Sequence, residues 1–225
     1  IKSSQIKIPD TPSSIKKDDP VDIIELSSKT NSGISVKNPR KTKRMVFELK
    51  GTALFELPSN CYQNIEIEKG LKKVVVKTGE SPCDRGNISD SDIMPNIFED
   101  SNSPSIVKTA EKLKKGTKNK EELIKKTISF VFRHIKNKNY SHGNLSASET
   151  LKKGAGDCTE HSTLLSALLK ALKIPAKMVY GIVLDEKGNF FFHNWNEVHT
   201  DKGWIAVDST FGMEKADSSR IVLAY

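Results

Sequence analysis

The residue with the clearest capacity for chemistry is Cys158, which stands at the predicted start of a helix. Asp157 is a favourable N-cap, and Glu160 follows it three residues later, as in a capping box. Cys158 is then the first residue inside the helix, where unpaired N–H groups and the positive end of the helix dipole favour a thiolate. The helix is apolar on almost every face from Leu164 to Leu172, so we expect it to be buried. This arrangement suits a nucleophile.

Two strands predicted downstream of Cys158 carry the groups that a thiol nucleophile needs, a base and a partner that orients the base. His193 lies on the strand predicted at 190–200, and Asp208 lies on the next strand, predicted at 204–209. Alternate residues of a strand share a face, and the two strands are hairpin neighbours, so His193 and Asp208 can approach each other. The sequence therefore predicts a Cys–His–Asp triad.

The turn between these strands does not fit equal pairing of His193 with Asp208. Such pairing would centre the turn between Thr200 and Asp201, whereas the turn residues indicate a centre nearer Lys202. A β-bulge or a diagonal contact is therefore needed to bring the two side chains together.

These three groups predict acyl chemistry at an amide bond. His193 holds Cys158 as a thiolate–imidazolium pair, the thiolate attacks an amide carbonyl, and His193 protonates the leaving amine. Asp208 fixes the ring tautomer, and water or another amine resolves the thioester. The Cys158 N–H is one expected oxyanion donor, and Tyr140, in a loop upstream, is a candidate for the second. We interpret His161 as a packing or hydrogen-bonding residue rather than the base.

The order of the predicted elements indicates an α+β fold, with helices packed on an antiparallel sheet. The helices are predicted to begin near Pro104, Lys120, Ser146 and Cys158. After Pro175 the hydrophobic period changes from helical to two, which predicts strands at 177–184, 190–200 and 204–209. Glu197 and His199 are expected at the sheet surface or against a neighbouring helix.

Composition divides the chain into three parts. Residues 1–44 are rich in Ser, Thr, Lys, Pro and Asp and are predicted to be linker-like, with a single strand at 21–26. Residues 45–102 form a small β-rich region of short, partly alternating runs punctuated by glycine and proline. Residues 103–225 form the catalytic core.

The net charge of +8 is carried mainly by lysine. Five of the eight residues from Lys37 to Arg44 are Lys or Arg, and we interpret this run as a solvated linker. Nucleic-acid binding would require interleaved aromatic residues or a known binding module, and the sequence has neither. No apolar run approaches the roughly 18 residues of a membrane span. Attraction to an anionic cell surface is compatible with the charge.

The chain has three cysteines, an odd number. A Cys61–Cys83 disulfide would leave Cys158 as a free thiol and would imply an oxidising compartment. Two unpaired, buried cysteines are the alternative, and this is the interpretation that we favour. No CxxC pair or Cys/His ligand spacing is present, so we expect neither a metal nor a cofactor.

The motifs that carry a family resemblance are, in order, Gly156-Asp157-Cys158-Thr159-Glu160-His161, Leu164-Leu165-x-Ala167-Leu168, Ile174-Pro175-Ala176, Gly181, His193-Asn194-Trp195-Asn196-Glu197-Val198 and Gly203-Trp204-x-x-Val207-Asp208-x-Thr210. Together they resemble the bacterial transglutaminase-like superfamily, over roughly residues 104–211. The resemblance implies a papain-like core with a catalytic triad at Cys158, His193 and Asp208. Ser209 departs from the family pattern, in which many members have Pro, and we expect no chemical consequence.

The resemblance leaves three functions open. We expect hydrolysis of peptide or amide bonds by a cysteine peptidase or amidase. Transglutaminase-type transfer of an acyl group from glutamine to an amine would use the same triad. A catalytically inert protein-binding module is the third function, and the intact triad argues against it. The expected partner is a protein or peptide substrate, with no nucleic acid, and the expected location is extracytoplasmic, in the periplasm or at the cell envelope of a bacterium.

Overall fold

Helices occupy the middle of the chain, and strands flank them on both sides, in the computed structural model of this protein. The structure describes residues 4–7, 30–31, 35–50, 56–68, 71–78, 88–137 and 145–225. The helices are α1 Pro104–Lys114, α2 Lys120–His134, α3 Ala147–Lys153 and α4 Cys158–Ala171. The strands are β1 Ser4–Lys7, β2 Thr30–Asn31, β3 Arg44–Lys50, β4 Gln63–Glu68, β5 Leu71–Lys77, β6 Ala176–Leu184, β7 Asn189–Thr200, β8 Gly203–Val207 and β9 Arg220–Ala224.

The first of two units comprises Ile1–Glu80, Tyr180–His193 and Asp217–Ala224. Its sheet has the strand order β1-β3-β5-β4, in which β1 pairs with β3 in parallel and the other pairs are antiparallel. Hydrophobic residues of β3 and β5 pair across this sheet, as Phe47 does with Val74. The core of the unit is built from buried hydrophobic side chains, which are Phe47, Val74, Val76, Leu184, Phe190 and Ile221.

A buried glutamine joins β4 to β9 within the first unit. Gln63 has no exposed surface. Its Nε2 donates to the main-chain oxygen of Val222 at 2.9 Å, and the Val222 N–H donates to Oε1 at 2.7 Å. Nε2 also donates to the main-chain oxygen of Pro58 at 2.9 Å. The side-chain amide therefore pairs with β9 as a strand would, which satisfies a polar group that would be costly to bury alone.

The cysteines of the N-terminal half do not follow the interpretation favoured from the sequence. Cys61 is disulfide-bonded and exposed, so the expectation of an unpaired, buried thiol is wrong at this position. Cys83 lies outside the described residues. Cys158 is a free thiol, as predicted.

The second unit comprises Ser81–Val179, Asn194–Ala216 and Tyr225. Helices α1, α2 and α3 all pack against α4. Five apolar residues of α4 have no exposed surface, and these are Leu164, Leu165, Ala167, Leu168 and Leu169. The predicted burial of this helix is therefore confirmed. No helix in the described part of the chain has the length and apolar character needed to cross a membrane.

A charged residue near the end of α4 is buried with its partner. The Nζ of Lys170 donates to Glu99 Oε2 at 2.9 Å and to the main-chain oxygen of Ser91 at 2.8 Å. Both Lys170 and Glu99 are almost completely buried. Since removing one member of such a pair would leave an uncompensated buried charge, the contact fixes the segment before α1 against α4.

The second sheet has the strand order β2-β7-β6-β9, and β8 pairs with β7. The hairpin of β7 and β8 is antiparallel, with Asn196 opposite Val207 and Thr200 opposite Gly203. The boundary between the two units falls within β6, after Val179, and within β7, after His193. Helices followed by antiparallel strands confirm the predicted α+β fold.

The structure also contains strands that the sequence did not predict. Strands β1 and β2 lie in the part expected to be linker-like, and β9 follows a polar segment. The strand predicted at 21–26 lies outside the described residues, as do residues 53–55 of a short β run predicted at 53–57. Strand β8 ends at Val207, so Asp208 follows the strand instead of lying within it. The three-part division of the chain at residues 44 and 102 stays a prediction.

Candidate active site

Helix α4 begins at Cys158, as the sequence predicts, because a complete capping box closes its first turn. Asp157 Oδ1 accepts from the main-chain N–H of Thr159 at 2.7 Å, and Glu160 Oε2 accepts from that of Asp157 at 2.9 Å. Glu160 Oε1 also accepts from the Leu145 N–H at 3.2 Å. The first turn is therefore held from two sides, which fixes the position of Cys158.

The residue before the N-cap must be glycine because the buried Glu160 side chain packs against it. Gly156 has a φ of 149°, a conformation that residues with a Cβ rarely adopt. A Cβ at this position would lie 2.3 Å from Glu160 Cβ and 2.5 Å from Glu160 Cγ. Gly156 therefore allows the close approach on which the capping box depends.

The protonation state of Cys158 differs from the expectation of a helix-start thiolate. Burial, the largest cause, and the carboxylates of Asp157 and Asp208 raise the pKa of the Cys158 thiol, which is about 12. Hydrogen bonds from the main-chain N–H groups of Asn194 and of Cys158 itself lower the pKa, but they do not outweigh desolvation. In these surroundings the proton stays on the sulfur until a base accepts it, whereas the sequence predicted that the helix end favours a thiolate.

Asp208 is fully buried at the end of the β7–β8 hairpin. Its Oδ1 accepts from the main-chain N–H of Thr210 at 3.0 Å and of Phe211 at 3.4 Å. Its main chain exchanges two hydrogen bonds with Met213, at 2.9 and 2.7 Å. These contacts close a short loop and hold the carboxylate in one place. The charge of Asp208 is one of the causes that raise the pKa of Cys158.

His193 lies on β7, and its side chain is 5% exposed. The following residue, Asn194, directs its main-chain N–H at the Cys158 thiol. That N–H belongs to the same peptide group as the carbonyl of His193, because the two residues are covalent neighbours. In the chain, His193 therefore directly precedes a residue that contacts Cys158.

The register of the hairpin agrees with the mismatch anticipated from its turn. Since Thr200 pairs with Gly203, the turn is centred between Asp201 and Lys202. The ladder ends at the Asn196–Val207 pair, so Asp208 lies one position beyond it along the chain. His193 and Asp208 are therefore not directly opposite each other in the hairpin register. The bulge or diagonal contact predicted from the sequence stays a prediction.

The remaining polar residues near α4 hold the helix in place. His161 is fully buried, and its Nδ1 lies 2.6 Å from the main-chain oxygen of Asp157, in keeping with the predicted hydrogen-bonding role. Ser209 Oγ donates to the main-chain oxygen of His161 at 3.2 Å, and Asn196 Nδ2 donates to that of Ser162 at 3.0 Å. Neither of the last two contacts was predicted, since strand alternation alone does not identify a helix as the partner.

The candidate oxyanion residue Tyr140 lies outside the described residues. Within the described ranges, no group of three or more His, Cys, Asp or Glu side chains is arranged to hold a metal ion.

Glu197 is fully buried, so of its two expected locations the exposed sheet surface is excluded. Its Oε1 accepts from the Tyr225 hydroxyl at 2.7 Å. Burial raises the pKa of Glu197 to about 7, and the hydrogen bond from Tyr225 opposes this shift. His199, two residues on, packs edge-on against Trp204 at a ring-centroid distance of 5.2 Å.

The buried Glu197 predicts a pH dependence of stability. The unfolded chain ionises near the ordinary pKa of 4.5 and the folded protein near 7, so the free energy of unfolding falls as pH rises between these values. The expected loss is roughly 3 kcal/mol, and it should be absent in Glu197→Gln, which retains an acceptor for Tyr225. Urea unfolding of both proteins at several pH values from 4 to 8 measures the difference. The prediction would be contradicted if the free energy of unfolding changed with pH to the same extent in both proteins.

Cys158 thus lies at a capped helix start, and Asp208 lies at the end of the β7–β8 hairpin. Residues 107–209 match the family model of the transglutaminase-like superfamily. The resemblance seen in the sequence is therefore confirmed for this segment.

Two solved structures are similar to this chain, and the first of them has the same fold. A proposed cysteine protease from Cytophaga hutchinsonii superposes with a TM-score of 0.58 at 16% identity, covering 82% of this chain and 77% of that one. The periplasmic domain of TgpA from Pseudomonas aeruginosa has a TM-score of 0.41 at 20% identity, covering 64% of this chain and 56% of that one. The chain thus spans less than two thirds of the TgpA domain. No curated protein matches the chain.

Proposed function

We propose that this protein hydrolyses peptide or amide bonds with Cys158 as nucleophile, His193 as base and Asp208 as the group that orients the base. The observation that carries this proposal is the environment of the Cys158 thiol. The thiol accepts a hydrogen bond from the main-chain N–H of Asn194, and the charge of Asp208 raises its pKa. These neighbours support the triad because Asn194 directly follows His193. The triad is the same as that implied by the family resemblance.

The raised pKa of Cys158 means that His193 must act as the general base in this mechanism. Because burial holds the proton on sulfur, the thiol needs a base to become a nucleophile at neutral pH. His193 accepts this proton, the sulfur attacks the carbonyl carbon, and the carbonyl electrons move onto oxygen. As the tetrahedral intermediate collapses, the C–N bond breaks and the imidazolium of His193 protonates the leaving amine. The product is a thioester on Cys158.

Hydrolysis of the thioester completes the cycle. His193 takes a proton from water as the water oxygen attacks the thioester carbonyl, and the C–S bond then breaks. The acid product leaves, and the proton returns to the sulfur of Cys158. Asp208 keeps one ring tautomer and stabilises the imidazolium in both halves. The Cys158 N–H at the start of α4 is the proposed first oxyanion donor, and Tyr140 remains the proposed second.

The proposed substrate is a protein or peptide outside the cytoplasm of a bacterium. The disulfide at Cys61 supports this location, because such bonds persist mainly in oxidising compartments. The net charge of +8 supports peripheral association with an anionic cell envelope.

A peptide library incubated with and without a primary amine tests the reaction. We expect cleavage in both conditions and no incorporation of the amine, because hydrolysis needs no dedicated amine site. Incorporation of the amine would indicate transglutaminase-type transfer instead, and an absence of both reactions would indicate a binding module. Cys158→Ala is the control for each condition, since any product formed by it does not arise at this site.

A further inference from the structure

Asn194 makes two separate contacts with the first turn of α4. Its main-chain N–H points at the Cys158 thiol. Its side-chain Nδ2 donates to Thr159 Oγ1 at 3.0 Å, and this bond is partly buried. Asn194 is thus bonded to two consecutive residues of the helix, through its main chain and through its side chain.

We infer that Asn194, the residue that follows His193, is a positioning residue, which holds its own strand segment at the first turn of α4 through its bond to Thr159. The inference rests on the proposed function, because it assigns a purpose to Asn194 only if His193 acts on Cys158. Successive side chains of a strand point to opposite faces, so Asn194 acts on His193 through the main chain that they share.

The chemistry of Asn194 and Thr159 suits this purpose. An asparagine amide carries no charge at any working pH, so it can hold the strand without adding to the carboxylate charges of Asp157 and Asp208. Those carboxylates already raise the pKa of Cys158. An aspartate at position 194 would add a third negative charge and would accept instead of donating.

The position of Thr159 also favours a role in alignment. Thr159 is the second residue of α4, and its main-chain N–H is already satisfied by Asp157 Oδ1 at 2.7 Å. Its hydroxyl is therefore not needed to cap the helix, and its oxygen accepts from the strand instead. Small displacements of reacting groups are costly in catalysis, so one neutral hydrogen bond at this place can affect the rate.

Alkylation of Cys158 by iodoacetamide across pH 5 to 10 tests the inference in the intact protein. The variants are Asn194→Ala, Thr159→Val and the double variant, with Thr159→Ser as the conservative replacement that keeps an acceptor. We expect Asn194→Ala and Thr159→Val each to lower the rate of Cys158 alkylation at neutral pH by about tenfold. Each should also raise the pH at which the alkylation rate reaches half of its maximum. The double variant should lose no more than either single variant, and Thr159→Ser should restore the wild-type profile.

Comparison with His193→Ala separates failure of the inference from failure of the proposed function. If His193→Ala does not change the alkylation profile, both the proposed base and the inference are overturned. If His193→Ala lowers the rate but Asn194→Ala and Thr159→Val do not, only the inference is overturned. A fall in melting temperature with an unchanged pH midpoint would mean a structural role alone, and it would also overturn the inference.

Discussion

Replacement of Cys158 by alanine should reduce cleavage of any amide substrate to background and should abolish reaction with iodoacetamide at neutral pH. The expected loss is complete because no other group can form the thioester, and Cys158 is a free cysteine. The fold should remain intact. The capping bonds of α4 are made by Asp157 and Glu160 and do not involve the sulfur.

Mass spectrometry after iodoacetamide treatment and cleavage of a peptide library measure the two losses, and thermal unfolding verifies the fold. Cys158→Ser is the matched variant, since it keeps an attacking oxygen of similar position but lower reactivity. Cleavage retained in Cys158→Ala at the wild-type rate would show that another residue is the nucleophile.

The helical part of the fold was predictable because its signals are local. The capping boxes at Ser146 and Asp157 are both present, and Gly154 ends α3 in the left-handed conformation that favours glycine. The start of α1 at Pro104 and of α2 at Lys120 also agree with the sequence. In each case the deciding interaction lies within a few residues of the helix end.

The features that the sequence did not predict depend on distant residues. The pairing of β9 with β6 and the contact of Gln63 with Val222 each join segments far apart in the chain. Glu197 is a polar residue on an alternating strand, so the pattern alone cannot show that both faces of that strand are covered. These contacts are properties of the folded chain, not of a local window.

The candidate site shows the same contrast. The position of Cys158 at a helix start was predicted from capping, but its pKa was not, because the helix end gives one small favourable effect and burial gives a larger unfavourable one. The depth of burial is set by elements that pack over α4. The sequence therefore predicted the position of the thiol but not its protonation state.

Ser209 departs from the family pattern and makes a hydrogen bond that a proline could not make. Many members have Pro at this position, and a proline has no hydroxyl to donate. Here the Ser209 hydroxyl donates to the main-chain oxygen of His161, which ties the residue after Asp208 to α4. The contact affects the placement of the Asp208 loop, so the expectation of no chemical consequence stays a prediction.

His193→Ala should give the second large effect, and the raised pKa of Cys158 determines its form. Without a base, only the thiolate reacts with iodoacetamide, and a thiol pKa of about 12 makes this species very scarce at pH 7. The alkylation rate of the variant should therefore rise about tenfold per pH unit from pH 7 to 10, with no plateau. Cleavage of peptides should fall by about 10²–10⁴-fold, the usual contribution of a general base.

The wild-type protein should behave differently because His193 can accept the proton of Cys158. Proton transfer to His193 stabilises the thiolate, so the alkylation rate should reach a plateau near neutral pH. The rate of Cys158 alkylation by iodoacetamide, measured across the same pH range, compares the two proteins. His134→Ala is the control for the loss of a histidine elsewhere in the chain. The His134 ring bonds to the main chain of Leu151 and should leave the profile unchanged. A plateau near neutral pH in His193→Ala would mean that another group removes the proton from Cys158.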